Sequence, residues 1–448
     1  MRFATLFSVI LLMGSSAAAG NWGQWRGPNF NGSSDEKNLP SSWSKTENIA
    51  WSKNMPGPSA ATPVVWGDHV FVSSTDSASE ELKALCFDRS TGKLLWHHTL
   101  SQGLRRDHRS TYAAPSPATD GKVAVFFYGN GEMVTYDFSG RQMWARNIQK
   151  DYGEFAFGWT FASSPVLYEG KLYLQVLQRD VPVSGRGLKD QMNKSYLLAM
   201  EPQTGKTLWR HIRPSEAQAE SRESFTTPVP FEHRGRKELL VIGGDDLSGH
   251  DLATGKELWR WGTWNPTRIG HWRHVPSPVA NEDVILVCAP KRDPVYAIKT
   301  GGSGKLDDDS IVWVSKEKEA RAVSSDVPTP AYYEGDFFVL SDLRKFLSRV
   351  EPKTGKIKWS IQTPGMAKYE ASPLAADGKI YLINFDGEVV VVSAADGEIL
   401  AQIPMEGPSD SPVRSSVITA QGQLFIRTNE KLFCVGEPAA VSSQATKR

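Results

Sequence analysis

Ala84-Leu85-Cys86-Phe87-Asp88-Arg89-Ser90-Thr91-Gly92-Lys93-Leu94-Leu95-Trp96 is an apolar run, a Gly-centred turn and a second apolar run that closes on Trp. The unit returns with turns at Ser139-Gly140, Thr204-Gly205, Thr254-Gly255, Thr354-Gly355 and Asp396-Gly397, and with closing residues Trp144, Trp209, Trp259, Trp359 and Leu400; a variant ends at Trp313. The Trp-to-Trp steps are 48, 65, 50, 54 and 46 residues. A period of that size is the signature of a β-propeller or a related solenoid.

A second marker keeps the same phase. A small hydroxyl residue followed by Pro opens an alternating run at Thr62-Pro63, Ser116-Pro117, Ser164-Pro165, Thr227-Pro228, Ser277-Pro278, Thr329-Pro330 and Ser372-Pro373. Pro is tolerated at the first residue of a strand, so each marker predicts the start of an innermost strand. Polar Gly turns such as Trp66-Gly67-Asp68 and Asp377-Gly378-Lys379 then lead into a second strand, and two more flank the Thr-Gly-Lys turn. Each unit therefore holds four antiparallel strands.

An eighth unit runs from Pro412 through Leu424-Phe425-Ile426-Arg427 to Leu432-Phe433-Cys434-Val435 and stops after three strands without a Trp. The missing strand is available at the other end of the chain, where Asn48-Ile49-Ala50-Trp51-Ser52 carries an orphan Trp. The expected fold is an all-β, eight-bladed β-propeller of four-stranded antiparallel blades, over residues 48–437, closed by pairing the N-terminal strand with the C-terminal blade. Closure hides the strand edges that an open array would expose at both ends.

The flanks read differently. Arg2, the apolar run Phe3 to Met13 and Ala17-Ala18-Ala19 before Gly20 fit a secretory signal peptide over residues 1–19. An N-terminal segment, 20–47, precedes the ring, and residues 438–448 read as a disordered tail. A periplasmic or secreted location follows, with no integral membrane segment once the signal is removed. The formal charge of +1 falls to 0 without Arg2, which gives phosphate backbones nothing to hold, so nucleic acid is not an expected partner. Three cysteines, Cys86, Cys288 and Cys434, are an odd number. Cys86 and Cys434 fall in equivalent third strands of neighbouring blades, whose sheets pack about 10 Å apart, beyond disulfide reach. Three buried thiols are expected.

The turn units around Trp96 and Trp209 resemble the tryptophan-docking repeat of the pyrroloquinoline-quinone (PQQ) family of propellers, over roughly residues 48 to 437. That superfamily includes quinoprotein dehydrogenases and the propeller lipoprotein of the outer-membrane barrel-assembly machinery. Trp22-Gly23-Gln24-Trp25-Arg26-Gly27-Pro28 resembles a segment found in secreted PQQ-like propeller proteins. The resemblance implies two functions of different class: a ligand-binding or protein-assembly module, or, as the alternative, a PQQ-dependent quinoprotein oxidoreductase using PQQ with Ca²⁺. In the enzymes of that family the quinone lies between an adjacent-cysteine disulfide and a Trp floor, beside a Ca²⁺ and a catalytic Asp. No two cysteines here are adjacent, and no Ca²⁺ ligand set aligns; Trp159 could be a floor, and Asp326 or Glu370 a base.

The repeats form the frame, so function belongs to the unrepeated links on one face. These links hold Arg105-Arg106-Asp107-His108-Arg109, Arg268, His271-Trp272-Arg273-His274 and Asp410, and six of the nine histidines, His97, His98, His108, His211, His271 and His274, read as link residues. The residues just before each Pro step are expected at the mouth of the central channel: Tyr112, Trp159, Phe225, His274, Asp326, Glu370 and Arg414. Aromatics, cations and carboxylates in one funnel suit a polar small molecule, a carbohydrate or an extended peptide. No metal site is expected, and the long segment from Gln178 to Lys194 reads as a lid or partner-contact loop.

Overall fold

The computed structural model describes residues 20–105, 107–190, 192–316, 321–407 and 411–437. The predicted signal peptide and C-terminal tail, together with Arg106 and Asp410, lie outside the described residues. Eight antiparallel sheets form a ring of blades. The first strands of blades 1 to 8 are Val64–Trp66, Ala118–Thr119, Val166–Tyr168, Val229–His233, Val279–Ala280, Ala331–Tyr333, Leu374–Ala376 and Ile418–Ala420. In blades 1 to 7 that strand begins at the residue after the predicted Pro. The ring closes as expected: Ile49–Asn54 pairs antiparallel with Lys431–Val435, setting Trp51 opposite Cys434.

The pairing of Thr-Gly turns with Trp has a packing cause. Except for Trp259, the indole N–H of each outer-strand Trp donates to a backbone oxygen in the turn of the next blade, as in Trp51 to Arg89 at 2.6 Å, Trp96 to Phe138 at 3.0 Å, Trp144 to Pro202 at 2.7 Å and Trp313 to Pro352 at 2.6 Å. The ring then lies on the turn glycine. A Cβ on Gly205, whose φ is +72°, would stand 2.6 Å from the Trp144 ring. Glycine is needed there both for the left-handed backbone and for the space.

Blade 5 lacks such a turn, and Trp259 of blade 4 donates instead to Glu238 Oε2 at 2.7 Å. The irregular segment of blade 5 folds back so that Gly304–Lys305 adds a short parallel fifth strand beside Glu257–Trp261. Blade 4 thus exceeds the expected four strands. His97, His98 and His211 also differ from expectation. They belong to the outer strands Leu94–Gln102 and Thr207–Ile212 rather than to links, because those strands continue well past the Trp. Cys86, Cys288 and Cys434 are buried free thiols, as predicted.

Around the axis, the hydroxyl residues of the Pro steps form a closed circuit. The backbone N–H of Thr62 donates to Ser116 Oγ, Ser116 to Ser164, Ser164 to Thr227, Thr227 to Ser277, Ser277 to Thr329, Thr329 to Ser372, Ser372 to Ser416, and Ser416 back to Thr62 Oγ1, at 2.8 to 3.3 Å. Each inner strand would otherwise leave this N–H unpaired at a buried edge. Ser416 completes the circuit without a following Pro.

Candidate functional site

On the link side of the hydroxyl circuit lies an axial cavity of about 210 Å³, lined from all eight blades. One register rule selects its wall. The residue two before each circuit hydroxyl faces the axis, because side chains alternate along extended backbone. Blades 1 to 3 supply Ala60, Ala114 and Ala162; blades 4 to 6 supply Phe225, Val275 and Val327; blades 7 and 8 supply Glu370 and Arg414. The alanines leave room on one side, and Arg109 and Trp159 from longer links occupy it.

Of the seven predicted funnel residues, Trp159, Phe225, Glu370 and Arg414 line this cavity, whereas Tyr112, His274 and Asp326 do not. None of the last three stands two residues before its hydroxyl: Tyr112 is four before Ser116, His274 three before Ser277 and Asp326 three before Thr329. His274 lies between Arg273 and Val275, which do line the cavity; it turns into the protein and is 1% exposed. Burial lowers its pKa to about 4, and its Nε2 has no partner among the described residues. Asp326 is buried and accepts from the Lys291 N–H at 2.6 Å, and Tyr112 packs into the apolar cluster shared by blades 1 and 2. Counting back two residues from the hydroxyl would have picked out Phe225, Glu370 and Arg414, whereas Trp159, five residues before Ser164, reaches the cavity from its longer link. Arg109, Arg273, Trp25 and five of the circuit hydroxyl residues also line the cavity but were absent from the predicted set.

The electrostatics favour an anion. The Arg109 guanidinium lies 5.2 Å from the centroid of the Trp159 ring and makes no ion pair among the described residues. Among the described residues, the ion pairs of Arg273 are long, 3.7 Å to Glu220 and 3.9 Å to Asp326. Arg414 pairs with Glu370 at 2.9 Å and lies 4.8 Å over Phe385. Glu370, the only carboxylate on the wall among the described residues, is thus already engaged. Ser116, Ser164, Thr227, Ser372 and Ser416 complete the base. Each has spent an acceptor lone pair on the circuit and, among the described residues, donates to nothing, which leaves its proton for a ligand.

The Gln178 to Lys194 segment is fastened beside the site. Gln178 donates to the Lys194 carbonyl at 3.1 Å, Asn193 holds the Leu188 N–H, and Arg179 pairs with buried Glu223, whose pKa burial raises. None of the segment's described residues lines the cavity. Among the described residues, no group of three or more His, Cys, Asp or Glu side chains could hold a metal ion, and no helix is long and apolar enough to cross a membrane.

The family model described as outer membrane protein assembly factor BamB matches residues 34–181, 87–309 and 243–445. The chain belongs to that PQQ-like propeller family. Solved structures with a similar fold include quinohemoprotein alcohol dehydrogenase from Comamonas testosteroni, at 14% identity and TM-score 0.67, covering 95% of this chain and 82% of that one. A europium-containing methanol dehydrogenase is 11% identical with TM-score 0.68, covering 93% and 98%. BamB from Moraxella catarrhalis is 12% identical with TM-score 0.56, covering 87% and 98%. At these identities the likeness is one of fold. No curated protein sequence matches the chain.

Proposed function

We propose that this chain is an exported ligand-binding propeller, and that its ligand is a small planar anion held in the axial cavity. The observation that carries this reading is the imbalance of the lining. Three guanidiniums and five hydroxyl protons face one carboxylate that is already paired. A concave site with one sign of charge and low-dielectric walls concentrates ligands of the opposite sign, and the Trp159 and Phe225 rings offer flat apolar surface. Export rests on the apolar leader and the Ala-Ala-Ala site of the sequence, and the family's description places its namesake at the outer membrane. A protein-assembly role on the same face is what that description suggests, but no described residue of the cavity selects a protein partner over a small anion.

The second reading is a PQQ-dependent oxidoreductase. It is favoured by the axial position and by the guanidiniums, which suit a planar tricarboxylate. The calcium half of such a centre does not fit these residues: among those described, Glu370 is the sole carboxylate on the wall, and the thiols are separate and buried.

Titration with PQQ, followed by absorbance with and without Ca²⁺, tests both readings. Binding that survives chelation and weakens about tenfold or more in Arg109→Ala or Arg414→Ala supports the ligand site. Binding that requires Ca²⁺ supports the enzyme. If neither PQQ nor benzene-1,3,5-tricarboxylate binds at millimolar concentration, the ligand reading is wrong.

A further inference from the structure

The N-terminal segment does not lie outside the ring. It meets four of the inner strands at the residue three after the circuit hydroxyl: Trp22 exchanges both backbone hydrogen bonds with Val65, Thr119 donates to the Gly23 carbonyl, Tyr332 to Asn31 and Ala375 to Gly32. Inner strands are sheet edges, and this segment satisfies groups that would otherwise be unpaired. Between these contacts the chain crosses the axis. Gln24 Oε1 accepts from the Leu167 N–H of blade 3 at 3.1 Å, while Arg26 Nη1 donates to the Pro373 carbonyl of blade 7 at 3.0 Å and Nη2 to Pro330 of blade 6 at 2.6 Å. Blades 3 and 7 are opposite one another in a ring of eight. Two residues whose side chains reach opposite walls leave the one between them, Trp25, on the axis.

We infer that the Trp22 to Gly32 segment is a built-in plug that makes the channel blind, with Trp25 as the floor of a site that takes one small planar anion from the link face alone. The inference rests on the proposed ligand site and names its geometry. Gln24 and Arg26 are 8% and 3% exposed, yet Trp25 between them keeps surface, and that surface lines the cavity. Arg26 lies beside the floor without lining the cavity. Its guanidinium lies 5.8 Å from the Trp25 ring centroid, has carbonyls but no carboxylate for partners among the described residues, and leaves Nε unpaired. Gly32 is required by the same packing, since a Cβ there would overlap the Arg26 guanidinium. A blind floor excludes extended polymers, which would have to thread the channel, and an indole floor favours a ligand that ends in a flat ring.

The test is titration of the mature chain with benzene-1,3,5-tricarboxylate, read by calorimetry, in wild type, Trp25→Ala, Trp25→Phe and Arg414→Ala. Trp25→Ala is expected to weaken binding about tenfold, and Trp25→Phe to stay within about threefold of wild type. If Trp25→Ala binds like wild type while Arg414→Ala does not, the ligand site stands and the floor is wrong. If wild type does not bind, the ligand reading falls. Iodide quenching then decides the floor by itself, read as the difference in emission between wild type and Trp25→Phe. A quenchable Trp25 contribution supports an indole facing the cavity, and an unquenched one overturns it. The fluorescence arm also covers the case in which Trp25→Ala fails to fold.

Discussion

Trp51 lies on Gly92. The indole N–H of Trp51, which stands in the first strand of the chain, bonds the Arg89 carbonyl at 2.6 Å, and a Cβ on Gly92 would come 2.6 Å from its ring. Because Trp51 belongs to the closing blade and Gly92 to the first, the contact that joins each blade to the next also joins the ends of the chain.

Gly205→Ala should cost more than Gly170→Ala. Both glycines have φ near +73°, but a Cβ on Gly205 meets the Trp144 ring, whereas one on Gly170 meets nothing within 4 Å. Gly170→Ala therefore reports backbone strain alone, about 1 kcal/mol. Gly205→Ala adds overpacking of about 1–3 kcal/mol. Equal denaturant midpoints for the two variants would mean that Trp docking does not require the glycine.

Ser416→Ala should open the hydroxyl circuit at the blade that completes it. The Ser372 N–H would lose its acceptor at a buried edge, a loss of about 1–3 kcal/mol. Ser416→Thr keeps an acceptor in the same place and should recover most of it. Urea unfolding of the three proteins separates the hydrogen bond from the change in volume.

Asp342 and His274 should bend the pH dependence of stability in opposite directions. Burial raises the folded pKa of Asp342 to about 6, and Oδ2 lacks a partner among the described residues. The folded protein then holds a proton that the unfolded chain releases near pH 4, so stability falls as pH rises from about 4 to 6. Asp342→Asn should stabilise the protein at pH 8 and converge with wild type near pH 4. For His274, at about 4 when folded, the unfolded chain binds the proton first, so stability falls as pH drops from about 6.5 toward 4. His274→Gln should flatten that acid limb. Melting temperatures from pH 4 to 8 measure both, and parallel curves for all three proteins would show that neither group titrates as described.

The three thiols should be unreactive in the native protein and all present after unfolding without reductant. Burial pushes each thiol pKa up, that of Cys434 to about 12, and the thiolate is the reactive form. Fewer than three thiols in denaturant would indicate a disulfide.

Much of the frame was legible because its signals are local. A Pro after a hydroxyl residue marks a strand start, a Gly before an apolar run marks a hairpin, and the orphan Trp51 gives the missing eighth strand. The wall of the cavity was legible in part. Phe225, Glu370 and Arg414 obey the two-residue offset from the circuit hydroxyl, while His274 and Asp326 differ from it by one residue and face the other way.

The sequence by itself determined the number of blades, the closure of the ring and the face that carries the unrepeated links, since the blades and links are marked by local repeated signals and the closure by one repeat lacking a strand that the other end of the chain supplies. Only the tertiary structure decided the floor and the charge of the site. Arg26 meets Pro330 and Pro373 across more than 300 residues of chain and so sets Trp25 beside the axis, and Arg109, Arg273 and Arg414 come together only when eight separate blades are drawn around one axis. Neither contact has a period, so no repeat announces it. Both exist because closing the ring brings distant segments to the same few ångströms of channel.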